Sequence, residues 1–242
     1  MKRLVFPILS IITAVLLAYA LYQALVVAPT DALQGDVYRI IYYHVPSAWT
    51  AFLLFLINFV ASVVYLIRRS PKADIVAVVS AEVGVVFCTI VLVTGPIWAR
   101  PVWGIWWAPG DIRLTSTLVL WLIYVSYLVL RRFSSSAQTQ MLAAALAVFG
   151  ALDVPLVYFS IWFFRTQHPQ PVIGGGGSMD PRMLHTLLIS WLAFLCFAFL
   201  ICWSRFRLEV LKREIEQANA MESLVGAGAS AKPSMPLNRG PR

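Results

Sequence analysis

Charge is scarce in this chain. Asp, Glu, Lys and Arg make up 12% of its 242 residues, against about 25% in an ordinary soluble domain. With 60% of the residues hydrophobic, a soluble globular protein is excluded and a membrane protein remains. Cysteine is scarce too. Cys88, Cys196 and Cys202 all sit in apolar runs, and no Cys-x-x-Cys or Cys-x-x-Cys-His occurs. A thiol redox motif and a covalent haem attachment are thereby excluded. Histidine is limited to His44, His168 and His185, with no pair at i, i+4 spacing. That argues against a helical two-histidine metal site. No internal repeat is visible. The net charge of +8 does not imply nucleic acid, because the basic residues cluster at the ends of apolar runs, where membrane topology accounts for them.

Six of those runs reach the roughly 20 residues that a bilayer span needs. They cover 4–28, 47–67, 74–96, 114–130, 137–164 and 184–203. The first is too long for a signal-peptide core and reads as a retained helix. The fold class expected is all-α, a polytopic membrane protein with six transmembrane helices. One set of connections holds Lys2, Arg3, Arg68, Arg69, Lys72, Arg131, Arg132, Arg205, Arg207, Lys212 and Arg213. The other holds only Arg39, Arg100, Arg113, Arg165 and Arg182. The richer set is expected in the cytoplasm, with both termini. Residues 1–204 then form the membrane domain. Residues 205–242 form a cytoplasmic helix followed by a disordered tail rich in Gly, Ala, Ser and Pro.

This topology places three connections outside: 29–46, 97–113 and 165–183. The middle one concentrates Trp98, Trp103, Trp106 and Trp107. If it winds as a helix, Trp103, Trp106 and Trp107 share one face and form an aromatic plate at the membrane edge. Arg100, Asp111 and Arg113 add charge beside it. Such a plate suits a large, flat amphiphile bearing carboxylates, haem above all, with Arg100 or Arg113 pairing with its propionates. All three histidines fall on the same side. His44 is expected just ahead of the second helix, with Pro46 and Ser47 at its start. His168 follows the aromatic end of the fifth span. His185 enters the sixth and is the alternative second iron ligand. Glu82 and Asp153 fall inside spans, and Asp153-Val-Pro155 predicts a kink. Residues 174–177, all glycine, read as slack in the third outer connection.

Trp103-Gly-Ile-Trp-Trp107, followed by Asp111-Ile-Arg-Leu-Thr115, resembles the tryptophan-rich "WWD" signature of the haem-handling proteins of cytochrome c biogenesis. Leu92-Val-Thr-Gly95 and Tyr38-Arg-Ile-Ile-Tyr-Tyr-His-Val-Pro46 resemble the flanks of its smallest branch, the cytochrome c maturation protein C (CcmC) family. The likeness spans about residues 35–203. Where the signature usually reads Trp-Trp-x-Trp-Asp, this chain reads Trp106-Trp-Ala-Pro-Gly-Asp111.

The resemblance implies an external haem-binding segment at 97–115 containing Trp103, Trp106, Trp107, Asp111 and Arg113. It implies His44 and His168 as axial ligands of haem b bound in transit. It further implies a non-enzymatic role in the bacterial inner membrane, with the site on the periplasmic side. Haem would pass to the chaperone CcmE, beside CcmD and the CcmA/CcmB transporter. Two other readings compete with this one. A membrane-embedded haem electron carrier would place its histidines within facing helices. A small-molecule transporter would need polar or broken helices near the midplane.

Overall fold

A computed structural model describes residues 2–134, 136–164, 166–169 and 179–230. The described residues are helical and contain no strand. Six segments are long and apolar enough to cross a membrane, as the sequence predicts. Helix α1 (Lys2–Tyr22) continues as a π-turn, Gln23–Val27. A 3-10 turn, Asp36–Ile40, leads into α2 (Ile41–Arg68). Then come α3 (Pro71–Trp103), α4 (Ile112–Phe133), α5 (Ala137–Ala151), α6 (Asp153–Phe163) and α7 (Pro181–Ser230). Residues 174–177 and 231–242 lie outside the described residues, while the stretch 225–230, expected to be disordered, continues α7.

The helix ends are set by local chemistry. Ser70 accepts from Ala73 N, with Pro71 in the first helical position of α3. Ser136 accepts from Thr139 N to open α5. Gly104, at φ 77°, ends α3 in the left-handed conformation that glycine tolerates. The fifth span breaks at Leu152 into α5 and α6. Pro155 lacks the N–H that a continuous helix would use there, so the expected kink is present. α7 runs unbroken through the expected 204/205 boundary, making the C-terminal helix an extension of the sixth span.

Two expectations are corrected. α2 begins at Ile41, so His44 rides on the helix and Pro46 lies within it. The 3-10 turn has already wound the chain, and Pro46 forfeits one backbone bond without marking the start. The tryptophan segment is also not one helix. Trp98 and Trp103 belong to α3, while Trp106 and Trp107 follow its glycine stop. Trp103, Trp106 and Trp107 therefore do not share a helical face.

The bundle is held at its middle by Phe55 of α2 stacked on Tyr124 of α4, centroids 3.9 Å apart and 13° from parallel. Phe87, Leu120 and Tyr127 are buried around them. Gly84 of α3 lies so close that a Cβ there would meet Phe55 Cε1 at 2.8 Å. Glu82, unassigned by sequence, accepts from Arg205 Nε and Nη2 at 2.9 Å each. At the end of the bundle opposite the histidines, Asp74 Oδ2 receives Arg131 Nη2 at 2.6 Å and Arg213 Nη2 at 2.7 Å. One buried carboxylate thus ties α3, α4 and α7 together.

Removing it strands Arg131 and leaves Arg213 only Glu209 and Pro71 O. Asp74→Ala should cost about 3 kcal/mol and lower the melting temperature of the purified protein in detergent. An unchanged melting temperature would mean that apolar packing alone fixes that end.

Candidate functional site

At the other end, α2, α3, α4 and α6 splay around two cavities of about 630 and 100 Å³. The larger falls in the range of about 300–1,000 Å³ usual for ligand pockets. His44, Trp98, Arg113, Tyr158 and His168 line both. The smaller adds Trp103 and Trp107; the larger adds Tyr38, Phe159 and Trp191.

The two histidines stand together, ring centroids 6.4 Å apart and planes 33° from parallel. An ion held between two imidazole nitrogens at roughly 2.0–2.1 Å each would set the centroids roughly 6–6.5 Å apart. The other nitrogen of each ring is accounted for. His44 Nδ1 lies 2.8 Å from Thr94 Oγ1, and that hydroxyl donates to Ile90 O at 2.7 Å. A hydroxyl has one proton, so Thr94 accepts from His44 Nδ1–H. His168 Nδ1 lies 3.1 Å from Pro169 O. A carbonyl only accepts, so this nitrogen carries its proton too. Both rings are left with an Nε2 lone pair. Locking one ring nitrogen to free the other is how histidine is prepared as a metal ligand. Among the described residues no group of three or more His, Cys, Asp or Glu could hold a bare metal ion. Two imidazoles flanked by aromatic walls instead suit a metal that brings its own equatorial ligands, as haem does.

Arg113 supplies the charge. Its Nη1 is buried with no hydrogen-bond partner among the described residues, and the side chain lines both cavities. A buried unpaired guanidinium is costly and favours an incoming carboxylate. The other basic candidates are already engaged. Arg100 is bonded to Gly104 O at the end of its own helix and lines neither cavity. Arg39 reaches Asp36 through Nε, Ala24 O and Ala28 O through Nη1, and Thr30 through Nη2.

Of the sequence candidates, the structure gathers His44, His168, Arg113, Trp103 and Trp107. It leaves Trp106 59% exposed, and His185 exposed on α7; neither lines these cavities. Asp111, 4% exposed, is also absent from both walls. It caps α4 and reaches the segment before His168. The sequence reading counted Trp98 in the tryptophan cluster but left it off the plate; it sits 4.9 Å from Trp103 and 6.5 Å from His168 by ring centroids. Its indole donates to Gln34 Oε1 at 2.8 Å. The sequence reading missed the roles of Thr94 and Tyr158. The i, i+4 spacing of Thr94 and Trp98 was the available signal, since it sets both on one face of α3.

The family model described as heme exporter protein C matches residues 1–221. The chain belongs to this family. It is 35% identical over 222 residues to the Heme exporter protein C of Bradyrhizobium diazoefficiens, covering 90% of this chain and 84% of that protein. The protein of the same name from Escherichia coli is 32% identical over 223 residues, 92% of this chain and 90% of that one. That from Haemophilus influenzae is 31% identical over 214 residues, 87% of each.

Burial holds the His168 imidazole far below its usual range, down to about 3 from 6.5; the Arg113 guanidinium and His44 add to this. The unfolded chain protonates this histidine near 6.5 while the folded chain keeps it neutral. Acid therefore favours unfolding, and the effect grows as pH falls below that value. The melting temperature should drop between about pH 7 and about pH 5, and His168→Ala should flatten that drop. A slope unaltered in the variant would show that His168 titrates normally in the folded protein.

Proposed function

We propose that this chain binds haem b between His44 and His168 and hands it to a haem chaperone during cytochrome c maturation. The observation that carries this reading is the adjacent pair of imidazoles, ring centroids 6.4 Å apart, each with Nδ1 engaged. Family membership supports it. Iron would take the two Nε2 atoms. Trp98, Trp103 and Trp107 would contact the macrocycle, and Arg113 would receive a propionate. Trp106, being exposed, is better placed to meet a partner than the buried part of the ligand. The partners expected are CcmE as acceptor, with CcmD and the CcmA/CcmB transporter alongside. No catalytic step is required of the protein. Delivery is favoured over electron carriage because His168 lies outside the spanning helices, where a ligand can let go.

The purified protein loaded with haem should give a six-coordinate low-spin absorption spectrum. His44→Ala or His168→Ala should abolish it, and His185→Ala should not. Thr94→Val should weaken haem binding about tenfold, the usual cost of losing a histidine's outer partner. Loss of the spectrum in His185→Ala with retention in His168→Ala would overturn the ligand assignment.

The site is proposed to face the periplasm of a bacterial inner membrane, with residues 205–242 in the cytoplasm, because the arginine-rich ends of the helices lie opposite it. In a cysteine-free background, single cysteines at Thr30 and Ala108 should react with an impermeant maleimide added to intact cells, and one at Gln138 should not. Labelling at Gln138 alone would invert the orientation.

A further inference from the structure

Asp111 closes the recognised tryptophan motif, yet its carboxylate does not reach the cavities. Oδ1 accepts Arg113 N at 3.0 Å and Leu114 N at 3.2 Å, capping α4. Oδ2 accepts Gln167 N at 2.9 Å and the Thr166 hydroxyl, contacts that span 56 and 55 residues of sequence. Thr166 Oγ1 in turn accepts His168 N at 3.0 Å. A carboxylate offers about four lone-pair sites, and all are used inside the protein.

We propose that Asp111 is a clasp that positions His168. It pins the segment 166–168 to the first turn of α4, and so sets the second iron ligand opposite His44, which α2 already fixes. The inference rests on the haem reading above. Two consequences separate it from a ligand-contact role. Asp111 adds nothing directly to the macrocycle or its propionates. Loosening it should free one axial ligand while leaving the other, so the clasp is where cargo release begins. His44 has no such weak point, because a spanning helix carries it.

Asp111→Asn separates the two jobs of the side chain. Its carbonyl can still cap α4, as asparagine does well, but its amide cannot accept the Gln167 N–H. Thr166→Val removes the other contact to Oδ2 and the acceptor of the His168 N–H, and leaves the cap and the Gln167 N–H bond in place. Both variants should insert normally. Without haem, hydrogen exchange should accelerate at the Gln167 amide in Asp111→Asn and at the His168 amide in Thr166→Val, while α4 amides stay protected. With haem, both should shift from six- to five-coordinate absorption and recover the low-spin spectrum on adding imidazole. Haem transfer to apomyoglobin should quicken about tenfold, the scale expected for losing hydrogen bonds to a charged acceptor. Unchanged exchange in both variants would mean that Asp111 does not hold the segment. Faster exchange with an intact six-coordinate spectrum would mean that the segment's anchorage does not govern ligation. Either result ends the proposal. If wild-type protein never gives the six-coordinate spectrum, the haem reading fails instead, and the exchange data alone decide whether the clasp exists.

Discussion

Inside a bilayer there is no water to satisfy a stray polar group, so each must find its partner within the protein. Much of this bundle follows from that constraint. Asp74 answers Arg131 and Arg213, and Glu82 answers Arg205. Asn58 donates to Ala77 O at 2.6 Å. Arg39 spreads its donors over Asp36, Thr30 and the carbonyls at the end of the first span. The match is incomplete: Asn58 Oδ1, Arg131 Nη1 and Asp153 Oδ2 are buried without a partner among the described residues, and so is Arg113 Nη1. Arg113 stands on the wall of both cavities, beside two imidazoles that each keep a free lone pair. These three groups stand on one cavity wall, and together they suit a ligand with a metal at its centre and an anion at its edge.

The site forms where the helices stop being regular. α2 and α3 pack closely at mid-bundle because Gly84 admits Phe55. Toward the histidine end, Gly104 stops α3 and the break at Leu152 lets α6 follow its own course against α4. A straight fifth span would continue the line of α5. Instead α6 carries Tyr158 and Phe159 into the cavity wall. The irregular backbone is thus confined to the ends and one kink, where it can line a cavity at tolerable cost.

Most of the architecture was legible because its causes are local. Apolar runs of the right length marked six spans, and Asp153-Val-Pro155 marked the kink. The errors came where local cues yield to tertiary ones. Pro46 reads as a helix start by propensity, but the preceding 3-10 turn starts the helix earlier. Trp103, Trp106 and Trp107 fit a helical face only if Gly104 does not intervene. At the site, residue chemistry and the resemblance pointed to His44, His168 and Arg113, and all three line the cavities. Residue chemistry could not separate Arg100 from Arg113. That difference lies in which guanidinium is already spent on a neighbouring carbonyl. Nor could it find Thr94, whose hydroxyl matters only because His44 lies 50 residues away in sequence and one hydrogen bond away in space.

The two histidines are held by different means, and that difference bears on function. His44 is part of a 28-residue helix, and its ring is oriented by a hydroxyl on a second helix. Moving it means moving the bundle. His168 belongs to a short stretch outside the spans, fixed by contacts to Asp111 and to its own backbone. A protein that stores a metal complex gains from two rigid ligands. One that must pass it on gains from one rigid and one releasable ligand, because the first keeps the cargo oriented while the second opens the coordination site to an acceptor. Breaking a single axial bond is also a smaller step than losing both at once. The uneven anchoring of the pair therefore fits transfer better than storage or electron carriage.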